Sequence, residues 1–355
     1  MKTKFAILGG GVAGLCAAIT LTELGERPLL IDGGSFSTHK VCGEFLSPEC
    51  IDLLQRWHIQ PNLLTNVNLH TACQQLNFHF NRPAGALSHI ELDPALANHA
   101  AACGAQLKSN TLVSGLQPKK TANDVHLIQL ADGQEIEAQN LIIATGRLFK
   151  NLTASFKARY IGFKTHFSDL SLEKNQLQMY VLEGAYCGIA PIENNKFNVA
   201  CLAELKQLRG CDPQIYLQNL FIKDRYLQSL LANGKNIFEQ WMVASIPAFG
   251  FKKTPLWHDT FFIGDAATSI PPACGNGLAL AILGGRLAAQ YALNGRACDF
   301  KKMWHKRCAK QMFYAKLLHK IMLSKTYSNA TLQVIKYFPY FGKKLFELSR
   351  QSGIL

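Results

Sequence analysis

The feature that most constrains this chain is a glycine turn near its start. Within ILGGGVAGLCAA, residues 7–18, Gly9, Gly11 and Gly14 satisfy G-x-G-x-x-G. An apolar run at 3–8 leads in as a short buried strand. Small and apolar residues at 12–24 lead out as a helix, and 28–31 reads as a second strand ending at Asp32. A β-α-β unit of this length, with an acid eighteen residues past the last glycine, is the pattern of a dinucleotide site. Gly9 permits the tight turn, Gly11 lets backbone approach a pyrophosphate, and Gly14 lets the helix pack on the strand. The N–H groups of the first helical turn, at Ala13 and its neighbours, add unpaired donors and partial positive charge. Asp32 can accept the hydroxyls of an adenosine ribose. A glycine-rich turn without a ligand would leave the spacing of that acid unexplained.

A second glycine-rich stretch, FFIGDAATSIPPACGNGLALAILGGRLAA at 261–289, separates FAD from a nicotinamide cofactor. It resembles the flavoproteins with the p-hydroxybenzoate hydroxylase fold, a family that includes flavin monooxygenases and geranylgeranyl reductases. The resemblance covers residues 3 to about 290, strongest at both ends. It implies that Gly264-Asp265 lies on the ribityl chain of FAD. It also implies that a turn through Pro271, Pro272, Gly275, Asn276 and Gly277 brings backbone amides and a helix start to the flavin pyrimidine ring. Reduced flavin carries negative charge there, which a helix N-terminus stabilises by about 0.3–2 kcal/mol. Cys274, inside the turn, reads as a small tolerated side chain.

HKVCGEFLSPE at 39–49 resembles the stretch that geranylgeranyl reductases carry after the second strand. The resemblance sets Lys40, Cys42, Gly43 and Glu44 beside the flavin, with Cys42 as a proton donor or shuttle and Glu44 as an acid or orienting group. The plainer readings are a packing thiol and a loop-capping carboxylate. LIIATGR departs from the family's aromatic hydroxylases, because Thr145-Gly146 stands where they show Asp-Gly. Direct reduction by NAD(P)H is then less secure, and another electron donor becomes admissible. Halogenation is disfavoured, since WMVASIP at 241–247 only partly echoes the halogenase W-x-W-x-I-P signature. Val113 joins the cofactor-binding candidates. Tyr186, Cys187 and Pro191, in GAYCGIAPIENNKFNVA, are candidates to line the substrate cavity or to be alternating strand core.

These readings give an α/β protein: a Rossmann-type FAD-binding domain, a β-rich substrate domain and C-terminal helices. The expected segments are 1–75, 90–158 and 255–300 for FAD, 76–89 and 159–254 for substrate, and 301–355 as a basic helical region. A helix is expected from Asp93, with Pro94 in its first position, to Gly104, and another at 213–232. The expected activity is FAD-dependent hydride transfer to a carbon–carbon double bond of a hydrophobic substrate. Alternatives are a monooxygenase acting on an aromatic or polyketide substrate, and a non-catalytic flavin-bearing binding protein.

Composition adds bounds. The 48% apolar and 17% charged content suits a globular core. No apolar run reaches the ~18 residues of a membrane span. The opening residues run straight into a strand pattern without a cleavage region, which reads as cytoplasmic. Eleven cysteines contain no C-x-x-C pair, so no metal site or disulfide framework is expected. The formal charge of +13 is concentrated beyond Phe300, where twelve Lys or Arg face one acid, Glu347. That basic region, 301–350, is either a solvated helix face, a peripheral contact with an anionic membrane, or a dock for an acidic donor or carrier protein. Nucleic acid is not an expected partner.

Overall fold

The computed structural model describes residues 1–71, 74–147, 157–337 and 348. The chain opens with β1 (Lys2–Leu8), α1 (Val12–Glu23) and β2 (Leu29–Ile31), the unit expected from the glycine pattern. After the loop at 32–44 come β3 (Phe45–Leu46), a 3-10 turn at Pro48–Cys50, α2 (Ile51–Arg56), and the hairpin β4 (Asn62–His70) and β5 (Gln75–Ala86). Next are α3 (His89–Ala102), β6 (Gln106–Lys108), β7 (Val113–Gln117), β8 (His126–Leu130) and β9 (Glu135–Ile143). β10 (Ala158–Ser168), β11 (Gln176–Leu182), β12 (Ala185–Pro191) and β13 (Phe197–Glu204) form a meander, followed by α4 (Pro213–Ile222) and α5 (Arg225–Ala232). β14 (Lys235–Asn236), β15 (Met242–Pro247), β16 (Gly250–Phe251), β17 (Thr260–Phe262) and β18 (Thr268–Ser269) lead to α6 (Gly277–Ala292), α7 (Ala297–Met322) and α8 (Lys325–Tyr337).

Among the described residues there are two large sheets. The first runs β6-β2-β1-β9-β8-β7, with β17 on β9. β1 lies parallel to both β2 and β9, so near-continuous apolar strands are covered on both faces. α1 and α6 cross so closely that a Cβ on Gly285 would meet Ala13 O at 2.3 Å. The second sheet runs β14-β10-β13-β12-β11-β4-β5-β3, with β15 also on β10. One face of it buries Phe163, Ile189, Val199 and Cys201 against Leu217 and Leu227 of α4 and α5.

Three expectations differ from these elements. β3 and β4 pair into the second sheet, so the segment expected as 1–75 of the FAD domain leaves it before residue 62. The β4–β5 hairpin register, from Asn62–Ala86 to His70–Gln75, is what carries it across. α3 begins at His89 rather than at Pro94. Glu193 accepts hydrogen bonds from the backbone and hydroxyl of Ser88 and seats the helix start there, leaving Pro94 inside the helix. The helix expected at 213–232 is two helices, because Asp224 accepts from Leu227 N and starts α5 afresh. Residues 148–156 of the expected FAD segments, and 338–347 and 349–355 of the basic region, lie outside the described residues.

Candidate active site

Parallel strands bring the glycine motifs to one edge. β1, β9 and β17 all point the same way, so Gly9, Thr145-Gly146 and Gly264-Asp265 leave the sheet side by side, with Asp32 at the end of β2. Ligands bind at this edge in open α/β sheets. Gly9 has φ +109°, and a Cβ there would stand 2.5 Å from Ala144 O. A Cβ on Gly14 would overlap Gly9 O at 1.9 Å, so the third glycine seats the helix on the turn. Asp32 accepts hydrogen bonds from Gly10 N and, at 2.7 Å, from Gly34 N. The second turn touches the first: a Cβ on Gly264 would lie 3.0 Å from Ala13 Cβ.

The cradle fits a dinucleotide. A Cβ on Gly43, Gly146 or Gly277 would meet nothing within 4 Å, and at Gly11 only the Lys40 ammonium, at 3.7 Å. The buried Thr145 hydroxyl has no protein partner. α1 starts without a side-chain cap or an acid in its first turn, leaving its N–H groups available. Gly275 takes the left-handed conformation (φ +66°), and a Cβ would strike the Phe45 ring at 2.6 Å. This turn continues through the 3-10 segment at Pro272 to Asn276 and the first helical residue Gly277. Arg147 faces Asp265 at 3.7 Å. Val113 enters the sheet just after Thr111 N–H donates to Asp32 O, which sets it near Asp32 at the end of β2. Pro271, Pro272 and Cys274 belong to the second turn itself.

The loop at 39–46 then crosses to the second sheet, and polar side chains invisible to motif reading gather on it. Residues alternate across strands, so Gly162, Lys164 and His166 of β10 share a face with Tyr186, Gly188 and Ala190 of β12 and with Leu202, Ala200 and Asn198 of β13. This face lies against the flavin loops: Asn198 donates to Cys42 O at 3.1 Å, and Val41 packs at Gly162. Tyr186 takes a backbone N–H from Ala273 in the second turn and meets His319 of α7 at 3.4 Å. The same alternation turns Cys187 into the opposite, apolar core and Pro191 to that side too. Of the three residues expected at the substrate, only Tyr186 meets the flavin turn.

Glu44 is the hub. Its backbone is left-handed (φ +52°) and its side chain fully buried. One carboxylate oxygen accepts from Lys164 and from His89 N at 2.9 Å, the other from His166 Nε2 at 2.9 Å. Burial pushes Glu44 up, but the hydrogen bonds and charges of His166 and Lys164 outweigh it and hold the carboxyl below its usual range. Glu44 is therefore a carboxylate that clamps the loop to the start of α3, not the acid considered from sequence. His39 stands edge-on to His166, and His39, Glu44 and His166 bring ligand atoms within 4.8 Å of one another. Lys164 already neutralises Glu44, and a cation here would face its ammonium, so the group balances charge without a metal.

Beside Glu44 runs a second chain. Lys40 pairs with Asp93 at 2.5 Å, Asp93 accepts from His89 Nδ1 at 3.0 Å, and the His89 ring shares a hydrogen bond with Cys42. Burial disfavours the charged imidazole, yet Asp93 and Cys42 raise it to about 10. Burial likewise pushes the Cys42 thiol up, and the bond from His89 and its charge bring it below the usual value. His89, Asp93, Lys164 and His166 were missed from sequence. The available signals were His89 and Asp93 at i, i+4 on one helix, and the alternating Lys and His of YIGFKTHFS.

Residues 3–189 match a family model described as pyridine nucleotide-disulphide oxidoreductase. The chain belongs to this family. It is an FAD-dependent oxidoreductase. It is 24% identical over 346 residues to a menaquinone reductase of Mycolicibacterium smegmatis, covering 85% of this chain and 79% of that one. It is 23% identical over 322 residues to a digeranylgeranylglycerophospholipid reductase of Methanosarcina mazei, covering 82% and 76%. Among solved structures, a geranylgeranyl bacteriochlorophyll reductase-like protein of Thermoplasma acidophilum shares the fold at TM-score 0.73 and 18% identity, over 98% and 99% of the two chains. A flavin-dependent brominase shares it at TM-score 0.79 and 14% identity, over 98% and 93%.

Proposed function

We propose that this oxidoreductase reduces a carbon–carbon double bond in a hydrophobic, isoprenoid-type substrate. The observation that carries the reading is the Lys40–Asp93–His89–Cys42 chain, which runs from a half-exposed ammonium to a thiol beside the flavin loops. FAD, when bound, would supply the hydride for one alkene carbon. Cys42 would pass a proton to the other carbon as the His89 imidazolium, which holds that proton at rest, hands it to the sulfur. Asp93 keeps the imidazole protonated and oriented, and Lys40 links the chain to solvent. Gly188, Ala200 and Ala244 are small residues on this face, beside Tyr186, while Val41 and Ile246 cover Gly162. Two of the curated relatives, the menaquinone reductase and the digeranylgeranylglycerophospholipid reductase, are reductases by name, which supports this class.

Lys40, Gly11, Asp32, Thr145, Asp265 and the 272–277 turn would hold the cofactor. Electrons reach it from NAD(P)H or another donor. The test is anaerobic: holoprotein is reduced and mixed with a polyprenyl lipid while absorbance near the flavin band is followed. Re-oxidation with a product two mass units heavier is expected. Re-oxidation only with oxygen, with one oxygen atom added to product, overturns the reading in favour of a monooxygenase.

A further inference from the structure

We infer that the outer face of α7 docks the protein on an anionic lipid surface. The inner face of this helix is core: Trp304, Cys308, Met312, Ala315 and Met322 are buried, and His319 reaches Tyr186. The outer face is unusual. Lys302, Lys306, Lys310, Lys316 and Lys320 recur along it with helical spacing. Between them stand Phe313, 66% exposed, and Leu317, 42% exposed. Asp299, paired with Arg296, is the only acid in α7 and α8. After Leu323 and Ser324, α8 carries a second exposed row of Tyr327, Ala330, Val334 and Tyr337. A solvated helix face accounts for the lysines but not for large apolar side chains set among them. Lysines flanking aromatic and aliphatic groups match a lipid interface, where the rings enter the headgroup layer and the ammonium groups meet anionic phosphates. No helix of the described residues is long and apolar enough to cross a membrane, so the contact is peripheral. One helix carries the lysine and apolar row outside and, inside, His319 in contact with Tyr186 of the second sheet. The docking itself rests on the exposed face alone and not on the proposed reaction.

The test uses FAD-loaded protein and sedimentation with phosphatidylcholine vesicles, with and without phosphatidylglycerol. Binding is expected only to the anionic vesicles and should fall as salt rises. A Lys302→Gln, Lys306→Gln, Lys310→Gln triple variant should lose roughly 100-fold in partitioning, at about fivefold per lysine. Phe313→Ser with Leu317→Ser keeps every charge and should still cost about tenfold. An unchanged flavin spectrum in both variants confirms that the fold is intact. Absence of vesicle binding at physiological salt overturns the proposal, as does binding indifferent to the Phe313 and Leu317 changes. Lysine-dependent capture by an acidic protein without vesicle binding overturns it too.

Discussion

The two faces of the nine-stranded sheet are made by the same strands and do opposite work. On one, Phe163, Phe167, Ile189 and Val199 are sealed under α4 and α5 in an apolar cluster. On the other, one residue along in each strand, Lys164, His166, Tyr186 and Asn198 stand among glycine and alanine and hold the flavin loops. The lesson is that period-2 alternation can separate stability from chemistry within a single strand. Substitutions at neighbouring positions should therefore fail in different ways.

The largest effect separates Phe163 from Lys164. Phe163→Ala should cost ~3–5 kcal/mol in denaturant unfolding, through a cavity under α4. Lys164→Met should also cost about 3 kcal/mol, because the buried Glu44 then keeps only His166 and the His89 N–H to hold its charge. Adding Glu44→Gln should recover much of the second loss and none of the first. Equal responses of the two variants to Glu44→Gln would break the comparison.

Next comes pH. His166 and Lys164 hold Glu44 below its usual value against the effect of burial, so its contribution is present above pH ~4.5 and is lost as pH falls further. Glu44→Gln should flatten that acid limb in an unfolding series. His89 runs the other way. Raised to about 10, its contribution is complete below pH ~6.5 and is lost as pH rises through 10. Under the proposed reaction the rate should hold to about pH 10 and fall above it, and His89→Gln should remove that limb.

The smallest effects sharpen the cavity. A Cβ on Gly188 meets only Met179 Sδ, at 3.2 Å, so Gly188→Ala should cost ~1 kcal/mol or less in stability. It should raise KM for a bulky lipid, a split that a core alanine would not produce. Tyr186→Phe removes a 3.4 Å contact with His319 and should shift stability by about 0.5–1.5 kcal/mol.

The FAD cradle was legible because its signals are local. Gly9, Gly11, Gly14 and Asp32 declare themselves within one β-α-β unit, and Gly264 to Gly277 repeat the device before a helix. The polar face was not, because its members meet only through folding: Lys164 and His166 reach Glu44 across 120 and 122 residues. α3 was misread since Pro94 looked like a helix start. That hid the i, i+4 relation of His89 and Asp93. Cys42 and Glu44 were singled out by resemblance, but only the packed loop distinguishes the thiol from the clamping carboxylate.

The proton path from Cys42 is the central claim, and a single turnover in heavy water tests it most directly. Reduced holoprotein and a polyprenyl alkene in D2O should yield product with solvent deuterium on both former alkene carbons, one by way of the exchangeable flavin N–H and one by way of Cys42. Cys42→Ala should keep a reducible flavin while losing about 10²–10⁴-fold in that step. Deuterated product formed at an unchanged rate by Cys42→Ala would contradict the account.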